Sequence, residues 1–363
     1  MADNEKLTVL YFGSYSLNNA RNAILIKGLK ENGVEVLECN DHSKSYVFKY
    51  IKLFLKYIKH IGKFDVMIVG FSGQEMMPLA RVLTRKPIVF NVFTSHYMGY
   101  ILDRKYFSSR SFRAKYYRFI DTLSCKLADI VILDTQAHID YFVKEFGLNP
   151  NKFRKIWLGA NSDLFHAQDG FMSSIKSSFN VVFWGNFIPL QGVEYIIKAA
   201  KILEGENIKF YLIGGGGQTM KANKELAEDL GLKNIEFTGR LSQEDLNGKI
   251  AESDVCLGAF SDSIKADVTI QNKIFEALSS GRAVLTARTT AIEELLEDKK
   301  NCLLCTKANP DDLARKILEL KHDPDLKNKI AKNGHDFFIE NLSESKLGGM
   351  LVKTIADVIK KHN

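Results

Sequence analysis

The chain has 363 residues, 45% of them hydrophobic and 26% charged, with only 6 prolines. That composition excludes a fibrous or broadly disordered protein, and the length exceeds the ~250–300 residues that one core usually serves, so two domains are expected. A net charge of +7 suits an anionic small molecule or an anionic membrane surface, and no nucleic-acid motif accompanies it, so no nucleic-acid partner is expected.

At the N-terminus, MADNEKLTVLYFG sets acidic residues ahead of a short apolar run, unlike a secretory signal. No apolar run reaches the ~18 residues of a membrane span, and a cytoplasmic protein is expected. Residues 7–13 form a compact apolar run ending in glycine. Residues 19–33 follow with helical spacing and stop at Gly33, with Asn18 or Asn19 as the cap. Further apolar strands are predicted at 34–39, 64–70, 87–93 and 130–135, each with a helical pattern nearby. Near-continuous apolar strands alternating with helices mean a parallel sheet covered on both faces. A doubly wound α/β domain is therefore expected over 1–165.

The stretch GANSDLFHAQDGFMSSIKSS, 159–178, is small and polar and reads as a linker. Alternation then resumes, with strands predicted at 181–185, 209–214, 235–239, 255–260 and 283–287. A second doubly wound, Rossmann-like domain is expected over 166–340. Residues 341–363 read as a C-terminal helix packing across the two domains. Five cysteines, at 39, 125, 256, 302 and 305, are odd in number and scattered, so they make no disulfide framework. Cys302 and Cys305 form a single CxxC without the second pair a structural zinc needs. They read as a short buried strand, and no metal site is expected.

In open parallel sheets ligands bind outside the carboxyl ends of the strands, so the informative residues lie just after them. Gly13 and Ser14 follow the first strand, and Arg21 falls in the first turn of the next helix, where a cation opposes the helix dipole. An anion is one reason for it; surface placement is the other. His96 follows the strand at 87–93 and is suited to acid, base or hydrogen-bond work, or to a structural role. Four glycines, 214–217, lead from a strand towards a helix and suit either a phosphate or a tight turn. The segment IKADVTIQNKIFEALSSG, 264–281, has Lys265 in a loop, then a helix predicted from Asn272 to Ser280 with Gly281 as its stop. Lys273 lies in the first turn of that helix and Glu276 one turn in. Two cations near a helix N-terminus suit a diphosphate, and a carboxylate accepting two hydroxyls suits a ribose. The competing reading is a helix with an i,i+3 Lys–Glu pair.

The order and spacing of VVFWGNFIPLQGVEYIIKAAKIL, FYLIGGGG, IEFTGRLSQEDL, DVCLGAF, IQNKIFEALSSGRAVLTA and NCLLCTKANPDDLARKI, over about 175–320, resemble glycosyltransferase family 4, the retaining nucleotide-sugar transferases of GT-B fold. The first half, with YFGSYSLNNARNAILIKGLKENGVEVLEC and TSHYMGYILDR, is similar to a branch of the same family. The resemblance implies an α/β GT-B fold, two Rossmann-like domains facing a cleft. It implies that Glu276 holds the ribose, as the second glutamate of the family's paired motif. The first glutamate of that pair, on the donor sugar, falls at Val268, beside Asp267 and Thr269. The family's arginine and lysine on the diphosphate fall at Asn186 and Gln191, which leaves Lys265 and Lys273 as replacements. Gly185, Gly215, Gly216 and Arg240 belong by position to the donor site, and His96 matches the family's first-domain histidine. The implied chemistry is metal-independent, cofactor-free transfer of a sugar with retention, from a nucleoside-diphosphate sugar donor.

Residues 44–63, KSYVFKYIKLFLKYIKHIGK, carry Lys49, Lys52, Lys56, Lys59 and Lys63 as one stripe and Val47, Ile51, Phe54, Ile58 and Ile61 as another. Tyr46, Tyr50, Leu53 and Tyr57 lie between. A basic amphipathic helix at 46–63 rests on an anionic leaflet, where a lipid-linked acceptor is natural, or packs its apolar stripe on the sheet, and the two readings are compatible. The first reading makes the protein peripheral on the inner face of the cell membrane. The main functional expectation is a glycosyltransferase of surface-polysaccharide or glycolipid synthesis, acting on a glycan or lipid-linked acceptor. With Val268, Asn186 and Gln191 in place, a catalytically silent sugar-nucleotide-binding or partner-binding subunit is the alternative. A GT-B epimerase is disfavoured because its carboxylate and histidine set is not found.

Overall fold

The computed structural model describes residues 6–167 and 178–362. Half of the linker read at 159–178, residues 168–177, lies outside the described residues. The chain divides into two compact units, Met1–Gly159 with Ser343–Asn363, and Ala160–Leu342.

The first unit carries strands β1 (Thr8–Gly13), β2 (Glu35–Asn40), β3 (Val66–Val69), β4 (Ile88–Asn91), β5 (Ile130–Leu133) and β6 (Phe153–Lys155). They pair in parallel, in the order β2-β1-β3-β4-β5-β6. The last of them went unpredicted, because three residues on a sheet edge give little periodicity. Alternate side chains feed two cores: Leu10, Phe12, Met67, Val69 and Phe90 one face, Val9, Tyr11, Val66, Ile68 and Val89 the other. That double burial is why these strands are apolar throughout rather than alternating. Asn19 caps helix Ala20–Glu31, its side chain accepting the Arg21 N–H.

The C-terminal helix Glu344–His362 brings Leu347, Leu351, Ile355 and Val358 into the core shared with Ile24, Leu25 and Leu29 of helix Ala20–Glu31. The two helices cross where glycines meet. A Cβ on Gly28 would stand 2.2 Å from the Glu344 carbonyl oxygen, and one on Gly348 would stand 2.1 Å from the Gly28 carbonyl oxygen. Both obstacles are backbone and cannot swing aside. Gly28→Ala is expected to lower stability by about 1–3 kcal/mol or more, read as a lower urea midpoint at unchanged m-value. Stability equal to that of the parent would mean that the crossing is looser than this packing.

Helix Tyr46–Ile58 seats Leu53 and Tyr57 in the core, with Tyr50 packed at its edge. Val47, Phe48, Ile51, Phe54, Leu55 and Ile58 are all exposed. Of the two readings of the 46–63 segment, packing of the apolar stripe on the sheet is the one the fold excludes. Of the tyrosine–leucine seam, Leu53 and Tyr57 are buried, Tyr50 is half-buried and Tyr46 is exposed, while the aliphatic stripe faces outward.

The second unit carries β7 (Phe179–Trp184), β8 (Ile208–Ile213), β9 (Ile235–Gly239), β10 (Val255–Leu257), β11 (Val284–Ala287) and β12 (Leu303–Cys305), all parallel, in the order β12-β11-β10-β7-β8-β9. Cys302 and Cys305 are buried free thiols on and beside β12. The chain leaves the sheet centre in opposite directions from β7 and β10. In such sheets the usual ligand position lies outside the carboxyl ends of the strands at that reversal.

Candidate functional site

At the β7–β10 reversal the strand β7 ends in Trp184 and turns at Gly185, whose φ of 137° lies in a region that favours glycine. A Cβ there would sit 3.5 Å from Lys273 Nζ. Lys273 comes from the first turn of helix Asn272–Ser279, which begins where the sequence placed it and ends one residue earlier, with Gly281 at φ 64°. The lysine is only 4% exposed. Its ammonium donates to Gln191 Oε1 at 2.5 Å and lies 3.6 Å from the centre of the Phe183 ring. Burial pushes the amine well below its ordinary range, and the charge of Glu276 works against that push. The Lys273 amine thus lies against Gln191, the position where the resemblance places the family's lysine, although it comes from a helix 82 residues further along the chain.

One turn on, Glu276 Oε2 accepts the indole N–H of Trp184 at 2.6 Å. Burial raises the Glu276 carboxyl above its usual range, while the indole and Lys273 counter it. Trp184 was not foreseen, because as the last residue of an apolar strand it reads as core. The loop after β8 lies against the same turn: a Cβ on Gly214 would meet the Gly185 carbonyl oxygen at 2.0 Å. Gly216 accepts the Phe187 N–H, and the Gly215 carbonyl accepts from Arg240 Nε at 3.2 Å. The glycine run does not open the following helix directly; that helix starts at Met220. Gly185, Gln191, Gly215, Gly216, Arg240, Lys273 and Glu276 therefore belong to one region, with Asn186 exposed at its edge.

Lys265 is not in a loop. It lies in a short helix, Ile264–Val268, capped by the Ser263 side chain, and its carbonyl accepts both the N–H and the hydroxyl of Thr269. Thr269 is accordingly a lock on that helix end. Val268 is buried. Asp267 accepts from Lys307 Nζ at 2.9 Å and from the Thr290 hydroxyl at 2.8 Å. Burial would raise its carboxyl, but these bonds and the Lys307 charge hold it below the usual range. Its carboxylate ties the short helix to the loops after β11 and β12, which is a different task from the sugar contact considered for it.

In the first unit Gly13 ends β1 with φ 137° and Ser14 is half-buried. Arg21 corrects the anion reading: it is fully buried. Its Nε donates to Asn91 Oδ1 at 2.9 Å, and its Nη1 to the Ile156 and Trp157 carbonyls at 2.7 and 2.8 Å. Burial lowers its guanidinium to about 10. It fastens the first helix to the chain after β6, which explains a cation in a helix's first turn.

His96 follows β4 and is 8% exposed. Its Nε2 faces Glu75 Oε2 at 3.4 Å. Asp121 accepts the backbone N–H groups of His96 and Tyr97 and the Ser95 hydroxyl, fixing the turn that aims the ring. Burial would lower the imidazole, but the Glu75 hydrogen bond and the charges of Asp121 and Glu75 raise it above its ordinary range. Burial likewise opposes ionisation of Glu75, and His96 prevails, holding that carboxyl low. Tyr100 and Tyr117 close on the imidazole with ring centres at 5.6 and 5.9 Å. Glu75 and Asp121 were missed. Glu75 follows β3 just as His96 follows β4, so the same carboxyl-end rule would have found it.

Residues 178–323 match the family model described as glycosyl transferases group 1. The second unit is a glycosyl transferases group 1 domain. An uncharacterized glycosyltransferase of Methanocaldococcus jannaschii is 26% identical over 187 residues, 52% of this chain and 49% of that protein. The lipopolysaccharide core biosynthesis glycosyltransferase LpsE of Rhizobium meliloti is 25% identical over 177 residues, 48% of this chain and 49% of that protein. The chain spans about half the length of these curated relatives it matches. Among solved structures, Anabaena HepE in complex with UDP-glucose superposes with a TM-score of 0.73 at 17% identity, covering 97% of this chain and 100% of that one. Sucrose-phosphate synthase from Thermosynechococcus elongatus gives 0.74 at 13% identity, covering 98% and 100%. The fold of the chain is therefore GT-B, two parallel six-stranded sheets with their helices.

Proposed function

We propose that this chain is a glycosyltransferase that moves a sugar from a UDP- or GDP-sugar to a glycan or lipid-linked acceptor, with retention and without a metal, in surface-polysaccharide or glycolipid synthesis. The observation that carries this reading is the Lys273 amine on Gln191 beneath the Gly185 turn, one helical turn from Glu276. Glu276 accepts the ribose hydroxyls. Lys273 and the first turn of its helix meet the diphosphate, where negative charge grows as the sugar leaves. Lys265 adds a second cation to the same phosphates. In the first unit His96, its imidazole raised by Glu75, donates a hydrogen bond to the sugar under transfer. The names of the relatives fit a role in envelope glycans.

The test is a thermal-shift screen against UDP-, GDP- and ADP-sugars, followed by a transfer assay with and without chelator. A ligand at a hundred times its Kd adds about 2.7 kcal/mol of stability. No response to any donor would remove the nucleotide reading, and activity lost on chelation would remove metal independence. Buried Val268 and engaged Asp267 leave the donor sugar without the family's first glutamate, which favours a silent binding subunit as the second reading. Donor binding without any transfer would establish it.

Trp184→Phe removes the N–H that favours the ionised Glu276. The carboxyl then rises further, so UDP affinity should fall several-fold and its acid-side loss should move to higher pH. Equal loss at every pH would reduce Trp184 to packing. A position at the inner face of the membrane, with helix 46–63 on anionic lipid, completes the proposal; no described helix is long and apolar enough to cross a membrane.

A further inference from the structure

Two helices of the first unit leave apolar side chains in water. On helix Tyr46–Ile58, Val47 is 67% exposed, Phe48 63% and Leu55 55%. On helix Phe112–Leu127, Phe112 is 84% exposed, Tyr116 41% and Phe119 60%. The spacing of these last three, i, i+4 and i+7, puts them on one face. Isolated exposed hydrophobes need no explanation, whereas continuous stripes mark a docking surface. The two helices are linked through Glu75: the Tyr50 hydroxyl donates to its carbonyl at 2.7 Å, and its carboxylate faces His96 Nε2 at 3.4 Å. From Tyr116 the rings continue inward, with Tyr117 at 5.7 Å and then His96 at 5.9 Å from Tyr117.

We infer that these two helices form a single docking face for an anionic lipid bilayer, whose aromatic end presents a lipid-linked acceptor to His96. The second clause rests on the transfer proposed above; the first does not.

Charge selects this occupant. The sequence YVFKYIKLFLKYI of 46–58 and FRAKYYRF of 112–119 contain no acidic residue. The exposed apolar residues are bordered by Lys44, Lys52, Lys56, Lys59 and Lys63 on one side and by Arg113 and Lys115 on the other. Arg113 sits over the Phe107 ring at 4.4 Å and Lys49 over the Tyr46 ring at 5.1 Å. Tyrosine mixed with lysine and arginine is the composition of a membrane interface, where apolar side chains enter the acyl boundary and cations meet headgroups. A second copy of this chain would present the same cations and be repelled. The aromatic stripe on the second helix was not legible from its sequence, because Phe112, Tyr116 and Phe119 alternate with cations and give only a modest apolar face.

The experiment is vesicle flotation of the full chain, with phosphatidylcholine alone and with phosphatidylglycerol added. Binding is expected only to the anionic vesicles and should weaken in high salt. The triple change Lys52→Gln, Lys59→Gln and Lys63→Gln should lower partition by roughly fivefold per lysine. Phe112→Ser with Phe119→Ser should lower it by at least about tenfold. Both variants should keep the parent's UDP affinity, which also verifies that they fold. Partition unaffected by the two phenylalanine changes would leave the first helix as the sole anchor and overturn the two-helix face. Absence of binding by the parent would overturn the bilayer altogether. So would a dimer in solution that the phenylalanine changes dissolve, since the face would then join copies of the chain. Failure to bind UDP would instead strike the transfer reading and leave the vesicle result standing.

Discussion

Lys273→Met should yield a protein that is more stable and binds UDP at least about tenfold more weakly, a charge-assisted contact having been lost. The amine is 4% exposed, meets one hydrogen-bond partner and lies against the Phe183 ring. Burial depresses it in the folded state, so the unfolded chain binds more protons wherever the two states differ. The lysine therefore costs stability below the unfolded pKa, and that cost fades as pH rises towards 10.5. Methionine has a similar volume and no charge to desolvate. The variant's melting temperature should rise by a few degrees at neutral pH, at about 2–4 °C per kcal/mol, and its advantage should shrink in alkali. An arriving diphosphate reverses the balance by favouring the ammonium, so the parent should take up protons on binding UDP, seen by calorimetry in buffers of different ionisation enthalpy. A destabilised variant with unchanged UDP affinity would make Lys273 a structural post. Stability given up at one residue in return for ligand is a familiar pattern at functional sites.

What could be read from the sequence followed the range over which each feature is encoded. Strands buried on both faces announce themselves as local apolar runs, so five strands of the first sheet and all six of the second were visible, and the carboxyl-end rule then isolated Lys273 and Glu276. The partners of these residues lie far along the chain. Gln191 meets Lys273 across 82 positions and Trp184 meets Glu276 across 92, and no local pattern encodes such pairs. Arg21 shows the converse. Its misfit with the helix dipole was correctly noticed, but the reason, carbonyls at Ile156 and Trp157, is tertiary. Helix Tyr46–Ile58 had two apolar stripes of helical period, and periodicity cannot say which of two such faces the sheet will take. The tyrosines decided it, since their hydroxyls reach carbonyls at the rim: Tyr50 that of Glu75 and Tyr57 that of Leu83, at 2.7 and 2.8 Å.

The first unit supplies the other large effect. His96→Ala should lower turnover by about 10²–10⁴, the usual worth of a positioned proton donor or acceptor, with little change in donor KM. Glu75→Gln should be milder and more diagnostic. Glu75 and Asp121 raise the His96 imidazole, so loss of Glu75 lets it fall towards the value burial would impose. If the protonated ring is the working form, the alkaline limb of the pH–rate profile must move to lower pH in Glu75→Gln. Stability should change in a matching window. The raised His96 contributes fully below its unfolded pKa of 6.5 and is lost as pH climbs through the folded value. The lowered Glu75 contributes above 4.5 and is lost as pH falls through its own. The parent's advantage over Glu75→Gln should therefore be greatest between about 4.5 and 6.5, in denaturant titrations across that range. An alkaline limb that stays in place while stability changes as described would separate the two roles. The pair would then hold the turn after β4 together, and the proton for transfer would have to come from another group.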